Sequence, residues 1–269
     1  MKTGCVVVAL AIWLSISTSA VAETREAVSV PVAGGRSLSA ELYSPGGGAP
    51  APAVIVLHTA GGSVESFDSD YARALAKEGF VALAVNYLHP ETSGGNRPWA
   101  PAITGDLVAV TNWLQSRAEV EGKPVGAVGF SLGSHGFMLA ARHQAIKAVV
   151  VYYGAYNPRQ FRSLKLPPTV RLPIDVAAEV GAAALLLHGE ADDEVPPSDA
   201  KAMEAALKSA GKVVELVMYP GAYHRFDRGP VAGMRGERSP HGYTYRKDDA
   251  AAKDAFKRTL DWLRKYLGS

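Results

Sequence analysis

Short apolar runs alternate with longer amphipathic segments along most of the chain. Six of the apolar runs are continuous rather than alternating in polarity, which is typical of strands covered on both faces. They lie at residues 53–58, 81–85, 125–130, 146–153, 182–188 and 213–219. The amphipathic segments predict helices at 67–78, 105–118, 132–143, 197–210 and 248–267. This alternation predicts a parallel sheet with right-handed crossovers and helices on both faces.

Two further strands are predicted ahead of these runs. Residues 26–32 and 38–43 are joined across Gly34-Gly35, which predicts an antiparallel pair. The Gly- and Pro-rich stretch at 44–52 is too short to divide domains. We therefore predict a single α/β domain over residues 23–269, with a mostly parallel sheet of eight strands.

The first 22 residues have the pattern of a secretory signal peptide. Lys2 is followed by an apolar run at 6–16 and by the small residues Ala20-Val21-Ala22, which suit cleavage after Ala22. An uncleaved anchor is the alternative, but the run is shorter than the roughly 20 residues that span a bilayer. The pattern predicts a periplasmic or secreted protein. Because Cys5 lies in this leader, the mature chain would have no disulfide and no thiol nucleophile.

Composition narrows the class of protein. Of the 269 residues, 48% are hydrophobic and 20% charged, which supports a full buried core and argues against disorder or a coiled coil. The 28 basic and 26 acidic residues are scattered along the chain. No basic stripe is formed, so nucleic acid is not an expected partner. After leader cleavage no membrane segment is expected either.

The clearest chemical motif is Gly129-Phe130-Ser131-Leu132-Gly133, which fits G-x-S-x-G. It lies between the strand at 125–130 and a predicted helix, which is the context of a nucleophile elbow. In such an elbow a sharp turn lifts the serine hydroxyl above the sheet. Ser131 is therefore the candidate nucleophile, and a tight structural turn without chemistry is the alternative.

A serine nucleophile requires a base and an acid that orients the base. Asp192 and Asp193 follow the seventh strand, and His224 follows the eighth. The order Ser131, Asp192, His224 is that of α/β-hydrolases. We expect activity to fall as His224 becomes charged near an ordinary pKa of about 6.5. The other histidines have other expected roles: His58 and His188 hydrogen-bond in loops, His135 and His143 pack or face solvent, and His89 and His241 stay open as substrate contacts.

The oxyanion of an acyl-transfer reaction needs two backbone amides. Leu132 would supply one amide, and Ala60 in the glycine-rich loop after the third strand would supply the other, with Gly61 as the alternative. A glycine-rich turn without a role is the competing interpretation of that loop. Two long connections, at 88–101 and 157–173, are candidate pocket walls or plain surface loops. The candidate substrate contacts near them are Trp99, Tyr153 and Tyr156.

These motifs together resemble the dienelactone hydrolase family. The resemblance covers residues 42–267 and includes the elbow, His188-Gly189-Glu190 and the run from Tyr219 to His224. It implies an eight-stranded α/β-hydrolase fold and hydrolysis of an ester, lactone or thioester without a cofactor. It also implies that the acid is Asp192, three positions ahead of Val195-Pro196. Asp193 would then face solvent or cap the helix that follows.

The chain departs from this family at two positions. The namesake enzymes have cysteine where Ser131 stands, and glutamate where Thr59 stands. We therefore predict an exported serine hydrolase for a small carboxylic ester or lactone, with no cofactor and no metal, since no H-E-x-x-H pair or calcium-loop spacing is present. A serine peptidase or thioesterase on the same fold is one alternative. An inactive binding protein that keeps the hydrolase fold is another.

Overall fold

A computed structural model describes residues 23–61, 66–88, 99–160, 166–230, 234 and 236–268. The predicted leader at 1–22 lies outside the described residues, as do His89 and most of the predicted pocket wall at 88–101. Within the described ranges, no helix has both the length and the apolar character needed to cross a membrane.

One sheet of eight strands forms the centre of the molecule. The strands are β1 Thr24–Pro31, β2 Ser37–Ser44, β3 Ala53–Leu57, β4 Val81–Val85, β5 Val125–Phe130, β6 Ile146–Tyr152, β7 Ala183–Gly189 and β8 Val214–Tyr219. Their order across the sheet is β1-β2-β4-β3-β5-β6-β7-β8. The contacts of β1 with β2 and of β2 with β4 are antiparallel, and those from β4 to β8 are parallel. The predicted mostly parallel sheet is confirmed.

Five α-helices cover the sheet. They are α1 Ser66–Lys77, α2 Pro101–Gln115, α3 His135–Ala140, α4 Pro197–Ser209 and α5 Asp249–Leu267. Buried side chains of α2, α3 and α4 pack on one face of the sheet, and those of α1 and α5 pack on the other. The strands β3, β4 and β5 are buried along their whole length, as their continuous apolar runs predicted.

Three details differ from the sequence prediction. Helix α2 begins at Pro101 rather than at 105, because proline suits the first turn, where its missing N–H costs no hydrogen bond. The helix predicted at 132–143 is a 3-10 turn over Ser131–Ser134 followed by the short α3. Strand β8 is only partly buried, because it is the last strand of the sheet and pairs on one side alone.

The parallel strands bring four chain segments to the same edge of the sheet. Strands β3, β5, β7 and β8 all run in one direction, so their carboxyl ends lie together. Open α/β sheets bind ligands beyond this edge. The segments that follow these strands carry Ala60, Ser131, Asp192 and His224.

The turn after β5 depends on close backbone packing at two glycines. A Cβ placed on Gly129 would lie 2.1 Å from the carbonyl oxygen of Gly133. A Cβ on Gly133 would lie 2.5 Å from the carbonyl oxygen of Leu57 at the end of β3. Both contacts are with backbone atoms, which cannot rotate away as a side chain can. Glycine at both positions therefore allows the turn to sit against the sheet.

We expect Gly129→Ala to lower the free energy of unfolding by about 1–3 kcal/mol or more, because the new methyl group must displace backbone. Urea denaturation monitored by circular dichroism measures the change. Gly105→Ala is the matched control, since a Cβ there meets nothing within 4 Å and alanine is favoured by about 0.8–1 kcal/mol inside a helix. Equal unfolding midpoints for the two variants would contradict the packing argument.

Candidate active site

Ser131 occupies a strained turn between β5 and the 3-10 turn that follows. Its φ angle is 55°, in the left-handed region that residues with a side chain rarely adopt. The amide of Ala155 donates to the Ser131 carbonyl at 3.2 Å, and the Ser134 hydroxyl donates to the Ala155 carbonyl at 2.6 Å. These contacts tie the turn to the end of β6. Strained backbone of this kind is concentrated at functional sites.

Asp192 and His224 form a buried hydrogen-bonded pair. The Nδ1 atom of His224 lies 2.8 Å from Oδ2 of Asp192. The other carboxylate oxygen, Oδ1, accepts the backbone N–H groups of Glu194 at 3.0 Å and Val195 at 2.8 Å. The backbone of its own turn therefore holds the Asp192 carboxylate in place, in addition to the hydrogen bond with His224. This arrangement leaves Nε2 of His224 to face the cavity described below.

A second histidine contacts the same carboxylate. Nε2 of His188 lies 3.0 Å from the Val195 carbonyl oxygen and 3.3 Å from Oδ2 of Asp192. Both neighbours are acceptors, so Nε2 must carry the proton that it shares between them. The prediction that His188 hydrogen-bonds within its loop is confirmed, and the contact with Asp192 is additional.

The pKa values of the pair shift in opposite directions. Burial opposes ionisation of Asp192, but the charge on His224 and hydrogen bonds from His188 and His224 outweigh it, so its pKa lies below the usual value. Burial alone would lower the pKa of His224. The charges on Asp192 and Glu194, together with the Asp192 hydrogen bond, raise that pKa above 6.5 instead.

Ser131 and His224 line one small cavity of about 150 Å³. The remaining lining residues are Thr59, Ala60, Gly61, Glu194, Arg225 and Tyr245. No hydrogen bond joins the Ser131 hydroxyl to the His224 ring in the described part of the chain. Such bonds often become short only in the substrate complex. The cavity thus brings the candidate nucleophile and the candidate base together at one surface.

The candidate oxyanion amides lie beside this cavity. Leu132 follows Ser131 directly, and Ala60 lines the cavity. The Ala60 amide donates to no other group within the described ranges. The amide of Gly61, by contrast, points to the Thr59 hydroxyl at 3.5 Å. Ala60 and Gly61 both line the cavity, and of their two amides only that of Gly61 has another acceptor among the described residues.

The predicted substrate contacts of Tyr153 and Tyr156 are not supported. Both side chains are fully buried, and neither lines the Ser131 cavity. The φ angle of Tyr153 is 40°, and its ring centre lies 4.6 Å from that of the His224 ring. Tyr156 packs against Phe137 of α3. Tyr153 therefore packs against the candidate base, and Tyr156 packs against α3.

Trp99 lines a different cavity from Ser131. This cavity of about 520 Å³ lies between α2, α3 and residues 169–176. The Trp99 ring stacks on His135 at 4.8 Å. Neither Ser131 nor His224 lines this cavity, so Trp99 does not share a cavity with the candidate nucleophile.

Glu194, Arg225 and Tyr245 are site residues that the sequence analysis missed. Tyr245 lies in the irregular segment that precedes α5, and an isolated bridge pairs it with His224. Glu194 stands two positions after Asp192, and this closeness in the sequence could have identified it as a site residue. Asp193 is exposed, and its carboxylate accepts the amide of Thr244 at 2.9 Å. Of the two predicted roles of Asp193, exposure to solvent is confirmed, and capping of the following helix is not observed.

Among the described residues, no group of three or more His, Cys, Asp or Glu side chains has an arrangement that could hold a metal ion.

Comparison with known proteins identifies relatives of this chain in sequence and in structure. The family model for the dienelactone hydrolase family matches residues 38–267. A protein of Escherichia coli (strain K12), named provisionally as a carboxymethylenebutenolidase, is 28% identical over 233 residues, covering 81% of this chain and 79% of that protein. A Klebsiella pneumoniae structure, described provisionally as a dienelactone hydrolase, has a TM-score of 0.71 at 24% identity and covers 91% of this chain and 100% of its own. A Mycobacterium tuberculosis puromycin-hydrolyzing peptidase has a TM-score of 0.73 at 17% identity, covering 95% of this chain but 41% of the peptidase.

The sheet order, the helices on both faces and the structural neighbours define an α/β-hydrolase fold. Within that class, the chain belongs to the dienelactone hydrolase family. It is a hydrolase of that family, and the predicted fold class and family resemblance are both confirmed.

We expect the imidazole NMR signals of His224 to titrate with a midpoint above pH 6.5, because the neighbouring carboxylates favour the charged ring. Asp192→Asn should move this midpoint downward by removing the nearest negative charge. Asp193→Asn is the control and should move it less, since the Asp193 carboxylate binds Thr244 instead. A wild-type midpoint at or below 6.5 would refute the stated balance of charges.

Proposed function

We propose that this protein is an exported serine hydrolase that cleaves a carboxylic ester or lactone. One observation carries the proposal. Ser131, in a strained elbow, lines the same cavity as His224, and the opposite nitrogen of that histidine is hydrogen-bonded to the buried Asp192. These are the relations that a serine nucleophile, its base and the orienting acid require.

In the proposed first step, the Ser131 oxygen attacks the substrate carbonyl carbon while Nε2 of His224 takes the hydroxyl proton. The negative charge that develops on the carbonyl oxygen is held by the amides of Leu132 and Ala60. The tetrahedral intermediate then expels the alcohol, which receives the proton from His224. An acyl group is left on Ser131.

In the second step, water attacks the acyl group while Nε2 of His224 takes one of its protons. The bond to the Ser131 oxygen then breaks, that oxygen receives the proton from His224, and the carboxylic acid leaves. Asp192 has one role in both steps. Its hydrogen bond keeps the proton of the neutral ring on Nδ1, so that Nε2 is free to accept. Its negative charge also stabilises the imidazolium that forms after each proton transfer.

Residue identity favours serine chemistry over the thiol chemistry of the family's namesake enzymes. Thr59 lines the cavity at the position where those enzymes have glutamate, so the carboxylate that stands beside their thiol is missing at this position. The name of the E. coli relative, a butenolidase, supports a lactone or a related ester as substrate. The export part of the proposal rests on the pattern of residues 1–22 alone.

Ser131→Ala should lower ester hydrolysis by about 10⁴-fold or more, because it removes the group that forms the covalent bond. It should also abolish labelling by a fluorophosphonate probe, which reacts only with an activated serine. The exposed Ser209 at the end of α4 provides a control, since Ser209→Ala should keep both signals. Unchanged thermal unfolding would show that Ser131→Ala is folded. Residual hydrolysis near the wild-type rate would refute the mechanism, and an unlabelled wild-type protein would favour a binding role.

Asp192→Asn should lower turnover by about 10³- to 10⁴-fold, because the orienting acid fixes the useful tautomer of the base. Asp193→Asn should stay within about tenfold of wild type, since that carboxylate binds an exposed backbone amide away from the imidazole. Steady-state kinetics on one ester compares the two variants directly. The reverse ranking would reassign the acid, and two mild effects would place it elsewhere in the chain.

A further inference from the structure

The charged side chains that line the Ser131 cavity differ in how far they reach its open surface. The side chain of Glu194 is 31% exposed, whereas Arg225 is 5% exposed. The Nε atom of Arg225 donates to the Gly229 carbonyl at 3.0 Å, and its guanidinium carbon lies 5.7 Å from the centre of the Tyr245 ring. Of these two charges, the negative charge of Glu194 is therefore the more accessible to an incoming molecule.

Glu194 is held in position at both ends. Its backbone amide donates to Asp192 at 3.0 Å, and its carboxylate accepts the Tyr245 hydroxyl at 2.6 Å. Tyr245 is fixed in turn by its own amide, which donates to the Glu237 carbonyl at 2.8 Å. Burial and the hydrogen bond to Glu194 raise the pKa of Tyr245, so its hydroxyl remains a donor. A carboxylate fixed in this way can act on a substrate without first being ordered.

The Glu194 carboxylate lies close to the cavity-lining nitrogen of the candidate base. Oε2 of Glu194 is 3.7 Å from Nε2 of His224. In the proposed mechanism this nitrogen returns the proton to the departing alcohol, so the alcohol must pass within reach of Nε2. The same position brings the alcohol beside Glu194.

We propose that Glu194, positioned by Tyr245, determines leaving-group specificity by favouring esters whose alcohol carries an ammonium group and disfavouring those whose alcohol carries a carboxylate. The inference rests on the proposed serine hydrolase function. An ammonium group about 4 Å from this partly exposed carboxylate would correspond to about a tenfold preference in kcat/KM. The small volume of the cavity suits a compact charged group.

Three acetate esters test this specificity. Acetylcholine carries the ammonium group, 3,3-dimethylbutyl acetate replaces its nitrogen by carbon, and 4-acetoxybutanoate carries a carboxylate. The wild-type protein should hydrolyse them in that order of kcat/KM, and Glu194→Gln should reduce the differences toward equality. Glu190→Gln is the matched control, because this exposed glutamate of the same turn does not line the cavity. Tyr245→Phe, which removes the hydrogen bond to Glu194, should give intermediate ratios.

The ratio between esters is the informative quantity, because any effect of Glu194→Gln on the basicity of His224 acts on all three esters alike. Equal ratios for wild type and Glu194→Gln would overturn the proposal. So would a wild-type protein that hydrolyses the carboxylate ester best.

A binding experiment separates this inference from the proposed function. Choline and 3,3-dimethylbutanol are titrated into the Ser131→Ala protein, and binding is followed by NMR shifts of the His224 ring. Tighter binding of choline, lost in Ser131→Ala combined with Glu194→Gln, supports the specificity role even if no ester is hydrolysed. Equal binding of the two alcohols overturns that role even if esters are hydrolysed through Ser131.

Discussion

The candidate site depends on the hydrogen bonds that the Asp192 carboxylate accepts. One oxygen accepts two backbone amides and thereby shapes the turn after β7, while the other binds His224 and lies 3.3 Å from His188. A buried carboxylate without such donors would cost several kcal/mol. The four contacts therefore stabilise the ionised carboxylate, hold the shape of its turn and orient the base at the same time.

The contact with His188 also limits what each ring can do. Because both neighbours of His188 Nε2 are acceptors, this nitrogen donates its proton to the Asp192 carboxylate and the Val195 carbonyl. His224 is hydrogen-bonded to the same oxygen through Nδ1, but its Nε2 faces the cavity. Two histidines beside one acid thus have different roles, because only one of them has a nitrogen that a substrate can reach.

Most of the fold and the central candidates could be predicted from sequence because parallel strands bring their carboxyl ends to one edge. Continuous apolar runs located the strands, and Ser131, Asp192 and His224 each follow one of them. Glu194 and Tyr245 could not be paired in advance, because their contact joins residues 51 positions apart and Tyr245 lies in an irregular segment. Tyr153 was misplaced for a related reason: the residue types after β6 do not reveal a positive φ, and that angle decides which way the ring points.

The base is also supported from behind by a buried charge cluster. The Arg228 guanidinium lies between the rings of Phe67 and Phe130, at 3.8 and 4.1 Å, and is 3.1 Å from the Asp68 carboxylate of α1.

The adjacent Asp227 accepts the Tyr153 hydroxyl at 2.7 Å, and the Tyr153 ring packs against His224. Burial raises the pKa of Tyr153, which keeps this hydroxyl a donor. Buried ion pairs contribute little net stability, but breaking one leaves an uncompensated charge. Because Phe130 directly precedes Ser131, one cluster holds both the elbow and the back of the base, and the spacing between nucleophile and base therefore depends on packing that never touches the substrate.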